Sequence, residues 1–393
     1  MNHKLLSPEV QKFIKDHQSD DPFMLSLNVK KESDFPFSEA IEQIQSLQKA
    51  KGKLPSWIDK ENIIWPPPLS IEQSSSEITA KYKARLIHGR SIADLSGGMG
   101  VDTFYFAEQF EKVSYVEPNE KLSQIAAHNF NVLGKKSIEI NTQSAEDFLE
   151  LNQKRFDAIF IDPSRRVENK KFFKIEYCSP NLYEIIPKCR AITDQILMKL
   201  SPMIDLSLLI NDFNPSEIWV VALKGEVKEV LCLIKNEKKP VKIHAVDLLS
   251  GEEKTVFEFD ANDEASTQSE FSLPLQYIYE PNAAILKSGA FKLIGEKYKL
   301  KKLHQHTHLY TSDELVKNFP GKILIIKNQL RLVKKEIKRA APDNIINVIT
   351  RNFPLSPSQL KKRFDLKDGG STFLICTTLI DGKKGILLSE RLN

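Results

Sequence analysis

Two stretches of this sequence put chemically capable residues where strands should end. In IADLSGGMGVDT, Asp94 closes an apolar run, Gly97, Gly98 and Gly100 follow, and a helix-forming segment opens at once. Glycines there let the backbone approach a ligand, and a helix start favours negative charge. In FDAIFIDPSRR, Phe156 to Arg166, an apolar run delivers a carboxylate, a proline and two arginines to one rim.

Two cofactor classes use the first geometry, dinucleotides and S-adenosylmethionine. The dinucleotide fingerprint GxGxxG wants Gly or Ala where Thr103 stands, so its third position fails. Asp94 would repel a pyrophosphate but can hydrogen-bond the ammonium of a methionine moiety. Glu117 closes the next apolar run, KVSYVE, where a carboxylate can accept from two ribose hydroxyls. S-adenosylmethionine fits better.

These residues need strands to end where they stand, and the pattern supplies them. SIADL, KVSYVE, KSIEIN, FDAIFID and QILMKL read as strands, with helical GVDTFYFAEQF and NEKLSQIAAHNFNVLG between the first three. Such alternation predicts a parallel sheet covered by helices, a Rossmann-like α/β domain. Upstream, Ser7-Pro8-Glu9 caps one amphipathic helix, a second follows Ser38, and WPPPLS is a stiff extended connector. Ser70 and Gln73 form an expected capping box for a helix carrying Ile78, Tyr82 and Leu86. Downstream, EIWVVAL, KIHAVDLL and TVFEF read as strands, while GEVKEVLCLI fits helix or strand equally. DANDEASTQSE is an expected loop, EPNAAILKSGAFKLIGEKY is helix-like, and the remainder is a small α+β module.

At 393 residues the chain should hold two or three domains, and 41% hydrophobic with 27% charged residues is globular. No apolar run approaches the roughly 20 residues of a membrane span, and the N-terminus reads as a capped helix rather than a secretory signal. Four scattered cysteines without CxxC spacing predict reduced thiols and a cytoplasmic location. The net charge of +4 is small, but from Lys287 to Arg339 basic residues outnumber acidic ones about three to one. That span is either a polyanion footprint or a solvated lysine-rich face.

The chain resembles the class I methyltransferases, and beyond that one bacterial family that adds a ferredoxin-like segment and a C-terminal THUMP-like domain. EQSSSEITAKYKA, DLSGGMGVDT, IDPSRR, KLSPMIDLS, YEPNAAILKSGAF, HLYTS and RNFPLS carry the resemblance, over most of the chain after residue 60. It implies a helical segment over 1–65, a methyltransferase domain over 66–270, the ferredoxin-like segment over 271–320 and the THUMP-like domain over 321–393. It also implies an RNA methyltransferase. Asp94, Ser96, Gly98 and Gly100 would surround the methionine portion, and Glu117 with Pro118 the ribose. Ser144 and Ala145 in QSAEDF correspond to the adenine turn, where many relatives carry Asp in place of Ser144. EQSSSE resembles the segment that trimethylguanosine synthases place over the cofactor, so Gln73, Ser74 and Ser76 would contact its carboxylate. Ordinary helix capping also explains those serines.

At the Asp162 rim, methyltransferases directed at nucleobase amines carry Asp or Asn, Pro, Pro and an aromatic residue. The acid and an adjacent carbonyl accept the two N–H bonds of a poorly nucleophilic amine and hold its lone pair in line with the methyl group. Here Asp162 and Pro163 are kept, while Ser164 and Arg165 replace the second proline and the stacker. Arg165 and Arg166 can stack on a base and grip a phosphate, or pair with Glu168 or Asp157. Lys199, in MKLSPMID, either orients substrate and neutralises phosphate or snorkels outward. His304, His306 and His308 share one face if extended, and metal, RNA and plain packing all stay open for them.

The expected protein is therefore an S-adenosylmethionine-dependent RNA nucleobase methyltransferase that requires no metal, because the sulfonium already activates the methyl group. A catalytically silent protein that binds cofactor and RNA is one alternative. A methyltransferase for a small molecule or a protein is another.

Overall fold

A computed structural model describes residues 2–27, 35–165, 175–236, 239–249 and 252–392. Two compact units divide the chain, one of Met1–Ser216 with Val230–Lys238, the other of Glu217–Glu229 with Lys239–Asn393.

The first unit opens with helices α1 (Pro8–Asp16), α2 (Pro22–Leu27), α3 (Phe37–Ala50) and α4 (Pro55–Ile58). Ser7 caps α1 as its side chain predicts. The WPPP connector is buried at Trp65 and Pro66 and half-buried at Pro67 and Pro68, and its buried part is bonded. Gln43 of α3 binds the Trp65 carbonyl and amide at 2.7 Å each, and Ser46 donates to Pro66 O at 2.8 Å. Asn129 does the same for Ile64, at 3.0 Å to its amide and 2.8 Å to its carbonyl. An extended buried segment must find such partners, because unpaired backbone groups away from water are costly.

Two short helices follow, α5 (Pro68–Gln73) and α6 (Glu77–Ala84). The expected single helix from Ser70 is thus interrupted. Pro67 and Pro68 start α5 earlier, and Ser76 caps α6 by accepting from Thr79 N at 3.2 Å. The break leaves an extended strap at Ser74–Ser76.

Then come β1 (Ser91–Asp94), α7 (Val101–Phe106), β2 (Lys112–Val116), α8 (Glu120–Val132), β3 (Ile138–Asn141), α9 (Ala145–Leu151) and β4 (Ala158–Ile161). A two-residue β5 (Ser164–Arg165) pairs with β6 (Cys178–Ser179), and α10 (Leu182–Ile192), β7 (Gln195–Leu200) and α11 (Leu206–Phe213) complete the run. The sheet order is β9-β7-β4-β1-β2-β3, with β9 (Glu226–Lys235) antiparallel to β7 and the rest parallel. All four residues of β4 are buried, as a central parallel strand covered on both faces requires. GEVKEVLCLI, compatible with either element in sequence, is therefore strand β9. The strand order reverses between β1 and β4, and ligands of open α/β sheets bind at that switch, beyond the carboxyl ends.

The second unit holds β8 (Glu217–Leu223), β10 (Lys242–Leu249) and β11 (Glu252–Asp260), with β10 parallel to β8 and antiparallel to β11. Short helix α12 (Asp263–Ser266) interrupts the expected loop. A seven-stranded sheet follows, in order β13-β14-β12-β15-β18-β17-β16. Its strands are β12 (Tyr277–Pro281), β13 (Lys301–His304), β14 (Thr307–Ser312), β15 (Gly321–Gln329), β16 (Asn347–Arg351), β17 (Thr372–Thr378) and β18 (Lys384–Arg391). The helix-like EPNAAILKSGAFKLIGEKY divides at Gly289, φ +83°, into α13 (Ala283–Ser288) and α14 (Leu293–Tyr298). Helix α15 (Lys334–Ala340) precedes β16, and α16 (Pro357–Phe364) starts at the capping box of Ser356 and Gln359.

All four cysteines are free and buried. Among the described residues, no helix is long and apolar enough to cross a membrane.

Candidate active site

The residues singled out in IADLSGGMGVDT and FDAIFIDP come together at the switch point. Asp94 ends β1 and is 1% exposed. Its Oδ1 accepts from Ser96 N at 3.0 Å and Ser96 Oγ at 3.2 Å, and its Oδ2 from Thr103 Oγ1 at 2.6 Å. Burial, with Asp102 nearby, pushes the carboxyl up to about 7 against the donors that favour its ionised form. Asp94 thus holds the turn together from beneath.

The three glycines have different reasons to be glycine. A Cβ on Gly97 would lie 2.2 Å from the Tyr115 ring, and one on Gly100 2.4 Å from the Phe130 ring. Gly98, at φ +54°, would meet nothing closer than Ser96 O at 3.8 Å. Its side of the turn is open, a place where a ligand can lie against bare backbone. Tyr115 Oη fixes that peptide by donating to Gly98 O at 2.6 Å.

Glu117 follows β2 and is half-buried, with Pro118 exposed beside it. Gly98 N donates to its Oε2 at 3.0 Å and Asn119 N to its Oε1 at 2.8 Å. Each oxygen is oriented by one amide and keeps a lone pair for a second donor. A ribose diol suits that pair of acceptors, and the open face of Gly98 suits the methionine end. The donor set fits an adenosyl cofactor.

Ser144 caps α9. It accepts from Asp147 N at 3.0 Å and donates to Asp147 Oδ2 at 2.7 Å, with Ala145 buried behind it. In the strap, Ser74 Oγ donates to Ile71 O at 2.9 Å, Ser76 caps α6, and Gln73 is exposed. Ser75, between two serines that sequence reasoning selected, is the buried one at 5% exposure. Its partners are Lys83 and Asp102. A hydroxyl in a run of three gives no sequence sign of which one turns inward.

Past β4, Asp162 N donates to Ser96 Oγ at 2.6 Å. The same hydroxyl donates to Asp94, so Ser96 ties the glycine turn to the Asp162 rim. Lys199 of β7 forms an ion pair with Asp162 Oδ2, its side chain 13% exposed against 31% for Asp162. Sequence reasoning placed both at the site without pairing them. Pro163 is buried, and Ser164 starts the β5–β6 ribbon, its Oγ donating to Ser179 O at 3.3 Å. Where relatives directed at nucleobase amines carry a second proline, Ser164 thus stands in a paired strand. Arg165 has its backbone in that ribbon, while Arg166 and Glu168 lie outside the described residues. Asp157 accepts from Arg90 N and Ser91 N at 2.8 Å each, at the opposite end of β4.

In the second unit the three histidines do not share a strand face. His304 ends β13, His306 lies in the turn and His308 is on β14. His304 Nδ1 accepts from His306 N at 3.1 Å, while His308 stacks on Phe291 at 3.6 Å between ring centroids. Burial, with Lys302 and Arg351 nearby, pushes His308 down to about 4. Among the described residues no three His, Cys, Asp or Glu side chains stand close enough to hold a metal ion.

A crystal structure from Porphyromonas gingivalis W83, named a "putative methyltransferase", matches at a TM-score of 0.88 and 31% identity over 100% of both chains. The chain belongs to its family. This family joins a class I methyltransferase fold to two C-terminal domains, which the chain matches as a ferredoxin-like domain at 277–320 and a THUMP domain-like region at 321–391. An rRNA methylase from Streptococcus thermophilus overlaps 41% of this chain and 95% of its own at 14% identity and a TM-score of 0.32. A "putative RNA methyltransferase" from Pyrococcus horikoshii overlaps 48% and 98%, also at 14% and 0.32. No curated protein shows significant similarity.

Proposed function

We infer that this protein is an S-adenosylmethionine-dependent methyltransferase acting on a nucleobase in ribosomal or transfer RNA. The observation that carries this reading is the Ser96 hydroxyl, which bonds both Asp94 beneath the glycine turn and the amide of Asp162 on the rim. A binding site for a donor and a grip for an acceptor share one hydrogen-bonded joint, and in-line transfer needs that closeness.

S-adenosylmethionine, when bound, supplies an electrophilic methyl group on a sulfonium. Gly98 and Gly100 would receive its methionine end and Glu117 its ribose. Ser144 and Ala145 would border the adenine, and Gln73, Ser74 and Ser76 would face its carboxylate. Asp162 Oδ1 and the neighbouring carbonyl accept the two N–H bonds of an exocyclic amine and turn its lone pair toward the donor. Pro163 fixes that carbonyl's direction. Lys199 holds Oδ2 in an ion pair, and the proton shed after transfer leaves by way of the half-exposed carboxylate.

The THUMP domain-like region and the lysine-rich span from Lys287 to Arg339 support RNA as the substrate. Arg165 would add a phosphate or base contact at the rim. Tritiated-methyl transfer onto RNA from cells lacking the protein, followed by nucleoside mass spectrometry, tests the reading. Incorporation into one modified nucleoside is expected. None from any RNA fraction would overturn RNA as the substrate and leave a silent binding protein or a methyltransferase for a small molecule or a protein.

A further inference from the structure

The strap carries a network that the reading above does not use. Lys83 of α6 has 0% of its side chain exposed, and its ammonium lies 3.0 Å from Asp102 Oδ1. Ser75 bridges the two, accepting from Lys83 Nζ at 2.7 Å and donating to Asp102 Oδ2 at 2.7 Å. Burying such a pair costs desolvation at both charges, and apolar residues of similar volume often stabilise a fold as well or better. Stability alone is a weak reason for it.

What the network joins is a better reason. Asp102 stands in the first turn of α7, just past Gly100, and the next residue, Thr103, bonds Asp94. The strap is tied at its ends as well. Lys53 Nζ reaches Ile71 O and Ser74 O at 2.9 Å each, and Glu77 Oε2 accepts from Ser56 N at 3.1 Å. Ser74 and Ser76 are both extended, with ψ of 158°. In extended backbone neighbouring side chains alternate, so turning Ser75 inward turns Ser74 and Ser76 the other way.

We propose that the Ser75–Lys83–Asp102 network sets the cofactor affinity of this site by seating the strap on the glycine turn, with Lys83 as a positioning residue. The proposal rests on the reading that the turn binds S-adenosylmethionine. Lys83 touches no cofactor atom; it acts through Ser75 and Asp102.

The test uses the full chain, with calorimetric Kd for S-adenosylmethionine and S-adenosylhomocysteine and a thermal melt for each variant. Ser75→Ala should weaken both ligands about tenfold, the effect of one hydrogen bond to a charged group, and Ser75→Thr should restore most of it. A Lys83→Met and Asp102→Leu pair should melt at or above the wild type yet bind about tenfold more weakly, separating affinity from stability. Should that pair fail to fold, the Ser75→Ala and Ser75→Thr results decide. Wild-type affinity in Ser75→Ala, or in a folded pair variant, overturns the proposal alone. A wild-type chain that binds neither ligand overturns it together with the cofactor reading.

Discussion

Lys199 and Asp162 are paired across neighbouring strands β7 and β4, at the end of the sheet where the glycine turn lies. The lysine occupies one carboxylate oxygen, and in the proposed reaction the other takes the substrate amine. If Asp162 aligns an amine, Asp162→Ala lowers methyl transfer by about 10²–10³-fold or more, as for loss of one oriented group in a transition state. Cofactor affinity by calorimetry should stay within about threefold. Wild-type turnover in that variant would remove Asp162 from the chemistry. Lys199→Met should lose about 10²-fold in methyl transfer, because the carboxylate loses the partner that orients it.

Glu117 makes a separable prediction. Its oxygens take the amides of Gly98 and Asn119, so the carboxylate shapes the turn and, in the proposed reading, also takes the ribose. Glu117→Ala should weaken S-adenosylmethionine about 10- to 100-fold, the range for losing charge-assisted hydrogen bonds. Titration calorimetry reads it directly, and unchanged affinity would place the ribose elsewhere.

Asp94 predicts a pH dependence. Burial raises its carboxyl to about 7, so folding penalises the ionised form. Below about 4 the group is protonated in both folded and unfolded chains and contributes no penalty. As pH climbs from there toward 7 the unfolded chain ionises first, and stability falls. Thermal melts from pH 5 to 8 should show this slope in the wild type and a flatter one in Asp94→Asn. Equal slopes would mean that Asp94 ionises as freely in the fold as out of it.

Glycine replacements should separate packing from ligand access. Gly100→Ala puts a methyl 2.4 Å from the Phe130 ring at φ +88° and should cost a few kcal/mol, about 2–4, of stability. Gly98→Ala meets open space at φ +54°, so its cost should stay near 1 kcal/mol, the usual left-handed penalty. Cofactor binding should nevertheless fail in Gly98→Ala. Melting curves beside calorimetry distinguish the two, and a Gly98→Ala chain that binds normally would show that the open face is not the ligand's.

Local pattern was enough to read the strand ends, the glycine turn and most helix caps, because each rests on residues a few positions apart. Ser7 and Ser356, which cap their helices, and Asp94, which ends β1, are cases where side-chain chemistry and neighbours suffice. Strand β9 was not decidable, since a strand buried on both faces loses the alternation that would reveal it. The Lys83–Asp102 pair was missed because a lysine in a helical, charged segment looks solvated until α6 is packed on α7. The three histidines would share a face only in an unbroken strand, and the chain turns at Gln305 and His306.

The ribbon of Ser164–Arg165 on Cys178–Ser179 bonds the chain just past Asp162 to the segment that leads into α10. Backbone hydrogen-bonded to a second strand wanders less than a lone loop, so the two residues after Pro163 act as a splint on the end of β4.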